Sequence, residues 1–569
     1  MLTGALYDNW WNGGNRTTPQ RHNIVGVLTE AASVKMASPV FLDRDQLTGG
    51  GRGFRDHKPS VNFVDPWPGG WWRLRDIVDY ELICARSILT LAARYREQFQ
   101  GNLLAMARDS VARGKSSPPY AWVVPAEQRD PGSVARMLQA LRDTGVEVHR
   151  AKESFRASGR EFPAGTWVLP ADQPYRAHLK DMMERQDYPT RLTADGKAEP
   201  PYDVAGWTLP LMTGVEAVEL SVPPRVATVK VDEIEKPAGR VEGPDDALWL
   251  KLVNQRNDDI PLAMALASAG IPVQARFGGG PDPDGLPSES LRFPADEKSR
   301  ERLRELLPKF SSRVVASRKD EAAGQSLRTL EAPRIAVYQP WVPNMDEGWT
   351  RLVLETSRIP YTTVHNADIR SGRLAERFNV LLVPAVPART IRDGYSPGET
   401  EPPYVGGLGA EGADALRALV AAGGRVVFLE SSCEYAIETF DLPVKSVLRG
   451  LSSSTFYSPG SVLRATKSAG GLPLTAASGM PDEFGVYFDQ SLAFDVQGSG
   501  TVSVKYAASD TLLSGWLLGP EKIRGKAAVY ESAPGPGGGG VILIGFRVQH
   551  RAQTHGTYRI LFNALSRWR

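Results

Sequence analysis

The residue whose position most suggests chemistry is Glu30, a carboxylate that closely follows a short apolar run. The run extends from Ile24 to Leu28, contains Gly26, and is separated from Glu30 by Thr29 alone. A run of this length is typical of a buried strand, although periodicity alone does not distinguish it from a helical segment. Glu30 would then lie at the C-terminal end of the strand, where ligands bind in open α/β sheets. A solvated carboxylate at a strand end is the alternative that the spacing leaves open.

The stretch around Glu30 resembles the last strand of the catalytic domain in zinc carboxypeptidases of the carboxypeptidase A type. The stretch that carries the resemblance is YDNWWNGGNRTTPQRHNIVGVLTEAAS, residues 7–33, and it is most similar to large bacterial members with extra C-terminal domains. The resemblance implies that Glu30 is the general base toward a zinc-bound water and then the general acid toward the leaving amine. It also implies that Tyr7 contacts the substrate, which would be the C-terminus of a peptide.

The zinc ligands of that family are absent from this chain. The family uses a His-x-x-Glu pair and a later histidine, all before the strand, whereas only His22 precedes Glu30 and no His-x-x-Glu occurs in the 569 residues. The resemblance therefore implies the C-terminal part of a zinc enzyme that is inactive as an isolated chain. It also implies an exported parent protein, while the sequence MLTGALYDNWW has neither the basic region nor the apolar core of a signal peptide.

Composition and charge describe an ordinary globular chain. Hydrophobic residues make up 42% and charged residues 23%, and the formal net charge is +2. This charge gives no reason to expect nucleic acid as a partner, and no apolar run reaches the length of a membrane span. The two cysteines, Cys84 and Cys433, imply no disulfide framework. The oligomeric state is not set by the sequence.

Alternating strand and helix patterns predict the α/β class, divided into four regions. Residues 1–115 would be the C-terminal portion of the carboxypeptidase-like domain, 116–220 a first α/β module, 221–330 a second module that repeats it, and 331–569 a domain with a flavodoxin-like parallel sheet. The repeat rests on two segments, AWVVPAEQRDPGSVARML and LWLKLVNQRNDDIPLAMAL, each followed by Gly-φ-x-Val and by a strand that ends in Pro-Ala-Asp. We expect each to be a β-α-β unit with a parallel sheet, and we expect Asp130 and Asn257 to cap the two helices.

The last region resembles class I glutamine amidotransferases. It combines the strands RIAVYQP, NVLLVPAV and GGRVVFLE with a helix over 412–422. Cys433 stands near the position of an amidotransferase nucleophile, but no glycine flanks it as the strained elbow of such enzymes requires. Neither His550 nor His555 has the Glu two residues later that the family's base needs. The resemblance therefore implies a domain that keeps the fold without the catalysis, and an active cysteine amidohydrolase remains the alternative.

Further groups of polar residues each have a functional and a structural interpretation. Arg547, His550, Arg551 and His555 would form either an anion or carbohydrate pocket or a loop that docks the last helix. The pairs His178/Asp181 and His365/Asp368 are interpreted as solvated residues rather than metal ligands. Cys84 is expected to be a small buried side chain of a helix. Trp67, Trp71 and Trp72 would either line a cleft or pack against the first segment.

Two functional hypotheses follow. The first is a metallocarboxypeptidase-like protein with Glu30 as its general base and acid. The second is a non-catalytic binding or scaffold protein that uses the amidotransferase-like domain to recognise a peptide or a glycan.

Overall fold

The structure is a computed structural model that describes residues 8–48, 56–61, 63–277, 282–319, 326–468, 475–535 and 538–569. It is a mixed α/β structure with several sheets. Among these residues no helix combines the length and the apolar composition that crossing a membrane requires.

The first region contains few strands and two long helices. Its elements are α1 (Thr18–Arg21), β1 (Val40–Leu42), β2 (Gly70–Trp72), α2 (Leu74–Arg94) and α3 (Arg96–Ser116). Strands β1 and β2 form a two-stranded antiparallel sheet, so the larger α/β sheet that the carboxypeptidase resemblance implies is not confirmed. The helix expected around Cys84 is observed as α2, yet no side chain of α2 is buried.

The second region forms a five-stranded sheet and a separate small hairpin. Its elements are β3 (Ala121–Val124), α4 (Pro131–Asp143), β4 (His149–Ala151), β5 (Phe155–Ala157), β6 (Arg160–Phe162), β7 (Trp167–Pro170), α5 (Arg176–Met183), α6 (Leu209–Thr213), β8 (Val218–Leu220) and β9 (Thr228–Lys230). The sheet order is β8-β3-β7-β4-β9, and the hairpin pairs β5 with β6.

The third region forms a six-stranded sheet. Its elements are β10 (Arg240–Glu242), β11 (Trp249–Leu252), α7 (Asp259–Ser268), β12 (Gln274–Phe277), β13 (Leu291–Pro294), α8 (Glu297–Leu306), β14 (Arg313–Ser317) and β15 (Ser326–Thr329). The order is β10-β14-β11-β13-β12-β15.

The two units share one arrangement, which differs from the expected parallel pairing. In each unit the third strand lies between the first two and is antiparallel to both: β7 separates β3 from β4, and β13 separates β11 from β12. The helix does connect two strands that run in the same direction, but they are not neighbours. The expectation of parallel sheets was therefore wrong because the later strand inserts between the pair. The domain boundaries themselves stay predictions.

The cap prediction holds for only one of the two helices. The carboxylate of Asp130 accepts from the backbone N–H of Gly132 at 3.0 Å, as an N-cap does. The corresponding helix α7 begins later and its N-cap is Asp258. Asn257 instead donates to Ser133 Oγ at 3.2 Å and joins the two repeated turns. Arg129 donates to the carbonyl of Gln255 at 3.0 Å, which is a further link between the two turns.

The last region contains a long sheet that is parallel on one side and antiparallel on the other. Its elements are β16 (Ile335–Tyr338), α9 (Met345–Thr356), β17 (Thr362–Val364), α10 (Asn366–Arg370), α11 (Leu374–Arg377), β18 (Val380–Val383), α12 (Ala388–Asp393), α13 (Gly409–Ala421), β19 (Arg425–Leu429), α14 (Ser432–Thr439), β20 (Val444–Ser446), β21 (Ser461–Lys467), β22 (Glu483–Phe488), β23 (Phe494–Val496), β24 (Thr501–Tyr506), β25 (Leu512–Ser514), β26 (Ala527–Glu531), β27 (Gly540–Ile544) and α15 (Tyr558–Ala564). Strands β17-β16-β18-β19-β27 are parallel.

The order of these parallel strands identifies the edge where a ligand site is expected. In chain order it reads 2-1-3-4-5, which is the flavodoxin-like order. Ligands of such sheets bind outside the carboxyl ends of the strands. One apolar core, which includes Leu262 of α7, Val427 of β19 and Leu561 of α15, continues from the six-stranded sheet into this region and holds that edge in place.

Candidate functional site

A strained turn follows β19 at the carboxyl edge of the parallel sheet. Glu430 is the turn residue, and its φ of +48° lies in the left-handed region. Non-glycine residues rarely adopt this conformation, and where they do the strain often marks a functional turn. A sharp strand-to-helix turn of this kind presents the nucleophile in several hydrolase folds. In this chain it presents a carboxylate.

Short hydrogen bonds hold the turn in this strained conformation. The backbone N–H of Glu430 donates to the Ile544 carbonyl of the neighbouring strand β27 at 2.7 Å. The Leu429 N–H donates to Ser432 Oγ at 2.9 Å, which ties the end of the strand to the start of α14. The Ser431 N–H donates to Glu430 Oε2 at 2.6 Å and orients the carboxylate. The surrounding structure therefore fixes the side chain before any ligand binds.

Burial changes the protonation of Glu430. The residue is 5% exposed. Burial raises the pKa of its carboxyl group to about 7, against the opposing charge of Arg547, and the nearby charge of Asp346 raises it further. A carboxyl group with a pKa near neutrality donates a hydrogen bond when protonated and accepts when ionised.

Arg547 lies between two aspartates beside this turn. Its Nη1 is 2.8 Å from Asp346 Oδ2, and its Nε is 3.2 Å from Asp489 Oδ2. Burial lowers the pKa of Arg547, but the charges of Asp489, Asp346 and Glu430 outweigh this effect and hold the pKa above its usual value. Burial also raises the pKa of Asp489, and Arg547 opposes that rise. Two carboxylates thus bind one guanidinium, whose side chain is 22% exposed, and the Glu430 carboxyl group interacts with it electrostatically.

Aromatic rings lie along the same carboxyl edge of the sheet. Trp341 follows β16 and stacks on His365, which follows β17, with ring centroids 3.9 Å apart and planes 9° apart. Tyr404 meets Trp341 edge to face at 4.7 Å. The Nδ1 atom of His365 lies 2.9 Å from the Gln339 carbonyl oxygen, which fixes the ring. The edge therefore carries both charged groups and a rigid aromatic surface.

The residues that the carboxypeptidase resemblance singled out lie elsewhere. Tyr7 falls outside the described residues. Glu30 is exposed and lies in an irregular segment, and Val25 and Val27 before it are 64% and 57% exposed. The expected buried strand is absent because no described strand pairs with this run to satisfy its backbone groups. A catalytic role for Glu30 is not tested by this geometry and stays a prediction.

Cys433 does not occupy the turn that the amidotransferase resemblance suggested for it. It is fully buried in the first turn of α14, and its Sγ lies 3.4 Å from the Phe428 carbonyl oxygen. Burial raises the pKa of the thiol well above its ordinary value, and Glu430 adds to this rise. A nucleophilic thiolate is therefore disfavoured, and the residue at the turn is Glu430.

Only Arg547 among the four residues of the loop after β27 belongs to this site. His550 is buried and stacks on Tyr487 at 3.8 Å. Arg551 pairs with Asp203 at 2.9 Å. His555 is half-buried and meets Tyr558 of the last helix edge to face, and desolvation lowers its pKa to about 4. These three residues pack the loop, so the docking interpretation describes them better than a common pocket does.

The two His-x-x-Asp pairs serve local structure. His178 is buried rather than solvated, and its Nε2 lies 2.8 Å from Thr144 Oγ1. The backbone N–H of His365 donates to Asp368 Oδ2 at 2.9 Å. Within the described parts of the chain, no group of three or more His, Cys, Asp or Glu side chains is arranged to hold a metal ion. The residues present therefore do not fit the zinc site that the family resemblance implied.

The sequence signals for this site are weak. Arg547 belongs to a basic cluster in the sequence, and Glu430 closes the apolar run of β19. Asp346 and Asp489 carry no signal, because they are separated by well over a hundred residues in sequence. Only the sheet topology brings them to one guanidinium.

Comparisons with known proteins are limited to distant structural similarities. No protein-family model matches the chain, and no curated protein matches it. Among solved structures, it is similar to an exo-β-1,4-mannosidase from an Opitutaceae bacterium, at 10% identity and a TM-score of 0.25, over 41% of this chain and 36% of that chain. A putative ThuA-like protein from Bacteroides uniformis shows 10% identity and a TM-score of 0.25, over 43% of this chain and 92% of that chain. A protein from Thermoplasma acidophilum described as a putative GMP synthase subunit shows 12% identity and a TM-score of 0.25, over 41% of this chain and 92% of that chain.

The carboxypeptidase interpretation is corrected by these findings. None of the three similar structures is a zinc carboxypeptidase, and the strand on which the resemblance depended is absent from the described part of residues 7–33. Zinc-dependent peptide hydrolysis was therefore the wrong interpretation of this stretch. The chain spans only 36% of the length of the mannosidase, and TM-scores this low carry no argument about function.

Proposed function

We propose that the chain is a glycan-binding protein whose site lies at the carboxyl edge of the parallel sheet, in an amidotransferase-like domain that has a carboxylate at its elbow. The observation that carries the proposal is the guanidinium of Arg547, which Asp346 and Asp489 both bind beside the strained turn at Glu430. Strand order and the strained turn support the amidotransferase-like assignment of residues 331–569, since both features are typical of that architecture. The buried thiol of Cys433 supports a role without thiol catalysis.

The charged groups offer the hydrogen bonds that sugar hydroxyls require. Each hydroxyl both donates and accepts. The carboxylates of Asp346 and Asp489 accept, while the planar guanidinium of Arg547 donates through several N–H groups in a fixed geometry. Glu430 adds a group that donates or accepts according to its protonation. Because Arg547 is already bound by both aspartates and the Glu430 carboxylate is held by the Ser431 N–H, little conformational entropy is lost on binding.

The aromatic rings offer a surface for the apolar face of a sugar ring. His365 stacks on the Trp341 ring, Tyr404 meets that ring edge to face, and the indole stays partly exposed. An indole buries a large apolar area at a small cost in side-chain entropy. A pyranose could therefore pack its C–H groups on this ring while its hydroxyls reach polar neighbours along the edge.

The charge balance selects among glycans. Asp346 and Asp489 both face one guanidinium, so an anionic sugar would bring like charges together at short range. Neutral oligosaccharides are expected to bind more tightly than uronic-acid oligomers of the same length.

We expect neutral oligosaccharides to bind the wild-type chain. The variant Arg547→Lys should bind them at least about tenfold more weakly, because lysine keeps the positive charge but lacks the planar set of N–H donors. Isothermal titration calorimetry with hexasaccharides of glucose, mannose and N-acetylglucosamine, beside a galacturonic acid oligomer, measures this. The control is Arg392→Lys, which changes an exposed arginine of the same domain paired with Glu438. If no neutral oligosaccharide binds, or if Arg547→Lys binds as the unchanged chain does, the proposal is wrong.

A further inference from the structure

A separate cavity lies in the first region, remote in sequence from the glycan site. Its volume is about 420 Å³, within the range of pockets that bind small molecules. Its walls come from the segment 29–33, from β1 and Leu47, from Trp67 and Trp72, and from the first half of α2. Cys84, expected to be buried, is half-exposed and lines this cavity.

Three aromatic rings form one wall of the cavity. Trp67 and Trp72 meet edge to face with centroids 5.7 Å apart, and Trp72 meets Tyr80 in the same way at 5.5 Å. The indole N–H of Trp72 donates to the Ala32 carbonyl at 2.7 Å, which fixes the middle ring against the opposite wall. Trp67 and Trp72 line the cavity and Trp72 also packs against the first segment, so the two sequence interpretations do not exclude each other. Trp71, by contrast, is 52% exposed and lies outside the lining.

The charged side chains that line the cavity are all negative. Glu30 and Glu81 both line the cavity, and Thr29 Oγ1 donates to Glu81 Oε2 at 2.8 Å. Among the described residues that form the walls there is no Lys, Arg or His. The aliphatic remainder includes Val40, Leu42 and Leu47.

Aromatic faces and carboxylates attract the same kind of ligand. The faces of indole and phenol rings carry negative potential and attract cations, most strongly those that are weakly hydrated. Two carboxylates beside the rings add Coulombic attraction and disfavour anions. The apolar wall excludes a small, strongly hydrated metal ion because it offers few oxygen ligands.

We propose that this cavity binds an organic cation with an apolar body, of the quaternary ammonium class. Trp67, Trp72 and Tyr80 contact the alkyl groups around the positive nitrogen. Glu30 and Glu81 line the cavity, and their carboxylates compensate the positive charge of the ligand. The proposal is independent of the glycan site, since the two share no residue.

The test compares choline with 3,3-dimethylbutan-1-ol, which has a carbon in place of the charged nitrogen and nearly the same shape. Isothermal titration calorimetry of the full chain should show saturable choline binding, and the neutral alcohol should bind about tenfold more weakly. Equal affinity of the two compounds would overturn the preference for a cation. Absence of binding by choline would overturn the proposal.

Two variants test whether choline binds in this cavity. Trp72→Leu should abolish choline binding, and Glu81→Gln should weaken it about fivefold while keeping the hydrogen bond from Thr29 available. Trp71→Leu, which changes the adjacent exposed indole, is the matched control and should bind choline as the unchanged chain does. If Trp72→Leu does not fold, Glu81→Gln decides alone. Unchanged affinity in Glu81→Gln would then contradict the proposed site.

Discussion

Replacement of Arg559 by methionine is expected to destabilise the folded chain by about 3–5 kcal/mol, because it leaves the buried acceptors of its guanidinium without donors and removes the charge that most opposes the pKa rise of buried Asp259. Arg559 of α15 is fully buried. Its Nε donates to the Ser478 carbonyl at 2.7 Å, and its Nη1 donates to the Arg256 carbonyl at 2.7 Å. Burial lowers the pKa of Arg559 to about 10, and Asp259 opposes this shift. Asp259 is itself 1% exposed.

Urea denaturation of the Arg559→Met variant and of the wild-type chain measures the change in the free energy of unfolding. The control is Arg417→Met, in which the lost side chain is 48% exposed and pairs with Asp414, so its effect should stay within about 0.5 kcal/mol. The double variant Asp259→Asn with Arg559→Met should recover part of the loss, since it removes the uncompensated charge as well. Equal midpoints for Arg559→Met and Arg417→Met would contradict the role assigned to this buried network.

Replacement of Glu430 by glutamine is expected to stabilise the chain increasingly as the pH rises from 5 to 8. The pKa of Glu430 is about 7 in the folded chain, above its ordinary value of 4.5. Between these two values the folded state holds the proton more tightly than the unfolded state does. The contribution of Glu430 to stability is therefore present below about pH 4.5 and decreases as the pH rises toward 7.

Glutamine has no proton to lose in this range, so the difference in unfolding free energy between the variant and the unchanged chain should grow with pH. The growth should reach at most about 3 kcal/mol by pH 8. Urea denaturation at pH 5, 6, 7 and 8 measures it. Glu434→Gln, which removes a carboxylate from the first turn of α14, is the control. Parallel stability curves for Glu430→Gln and the unchanged chain would show that the turn does not perturb this carboxyl group.

The parallel part of the last sheet was predictable from sequence. Val380–Val383 and Arg425–Leu429 are short apolar runs of largely β-branched and aliphatic residues, and glycine- or proline-containing segments lie beside them. Such runs are typical of strands that are buried on both faces of a parallel sheet. The helix predicted over 412–422 is observed as Gly409–Ala421. Local pattern was sufficient because local and tertiary preferences agree there.

The same rule failed at Ile24–Leu28. This run is as apolar as the strands of the last sheet, but a strand also needs neighbours that pair with its backbone, and a local pattern does not report them. The insertion of β7 between β3 and β4 was missed for a related reason. A β-α-β pattern indicates which strands run in the same direction, whereas the choice of neighbours depends on strands that occur later in the chain.

The candidate site depends on two features that no local pattern contains. The left-handed conformation of Glu430 is invisible in sequence because glycine, the usual residue at such turns, is absent. The ion pair between Arg547 and Asp346 joins residues 201 positions apart. Resemblance to a family directed attention to the thiol three residues beyond the turn, while the geometry assigns the turn to a carboxylate.

Hydrogen–deuterium exchange of the full chain, with and without a saturating neutral hexasaccharide, tests the central claim most directly. Binding at the proposed site should slow exchange in peptides that cover 430–434 and 545–549, since ligand contacts there stabilise the turn and the Arg547 loop. The six-stranded sheet should exchange as before. Protection confined to other segments, or no protection while calorimetry shows binding, would place the glycan elsewhere and contradict the account.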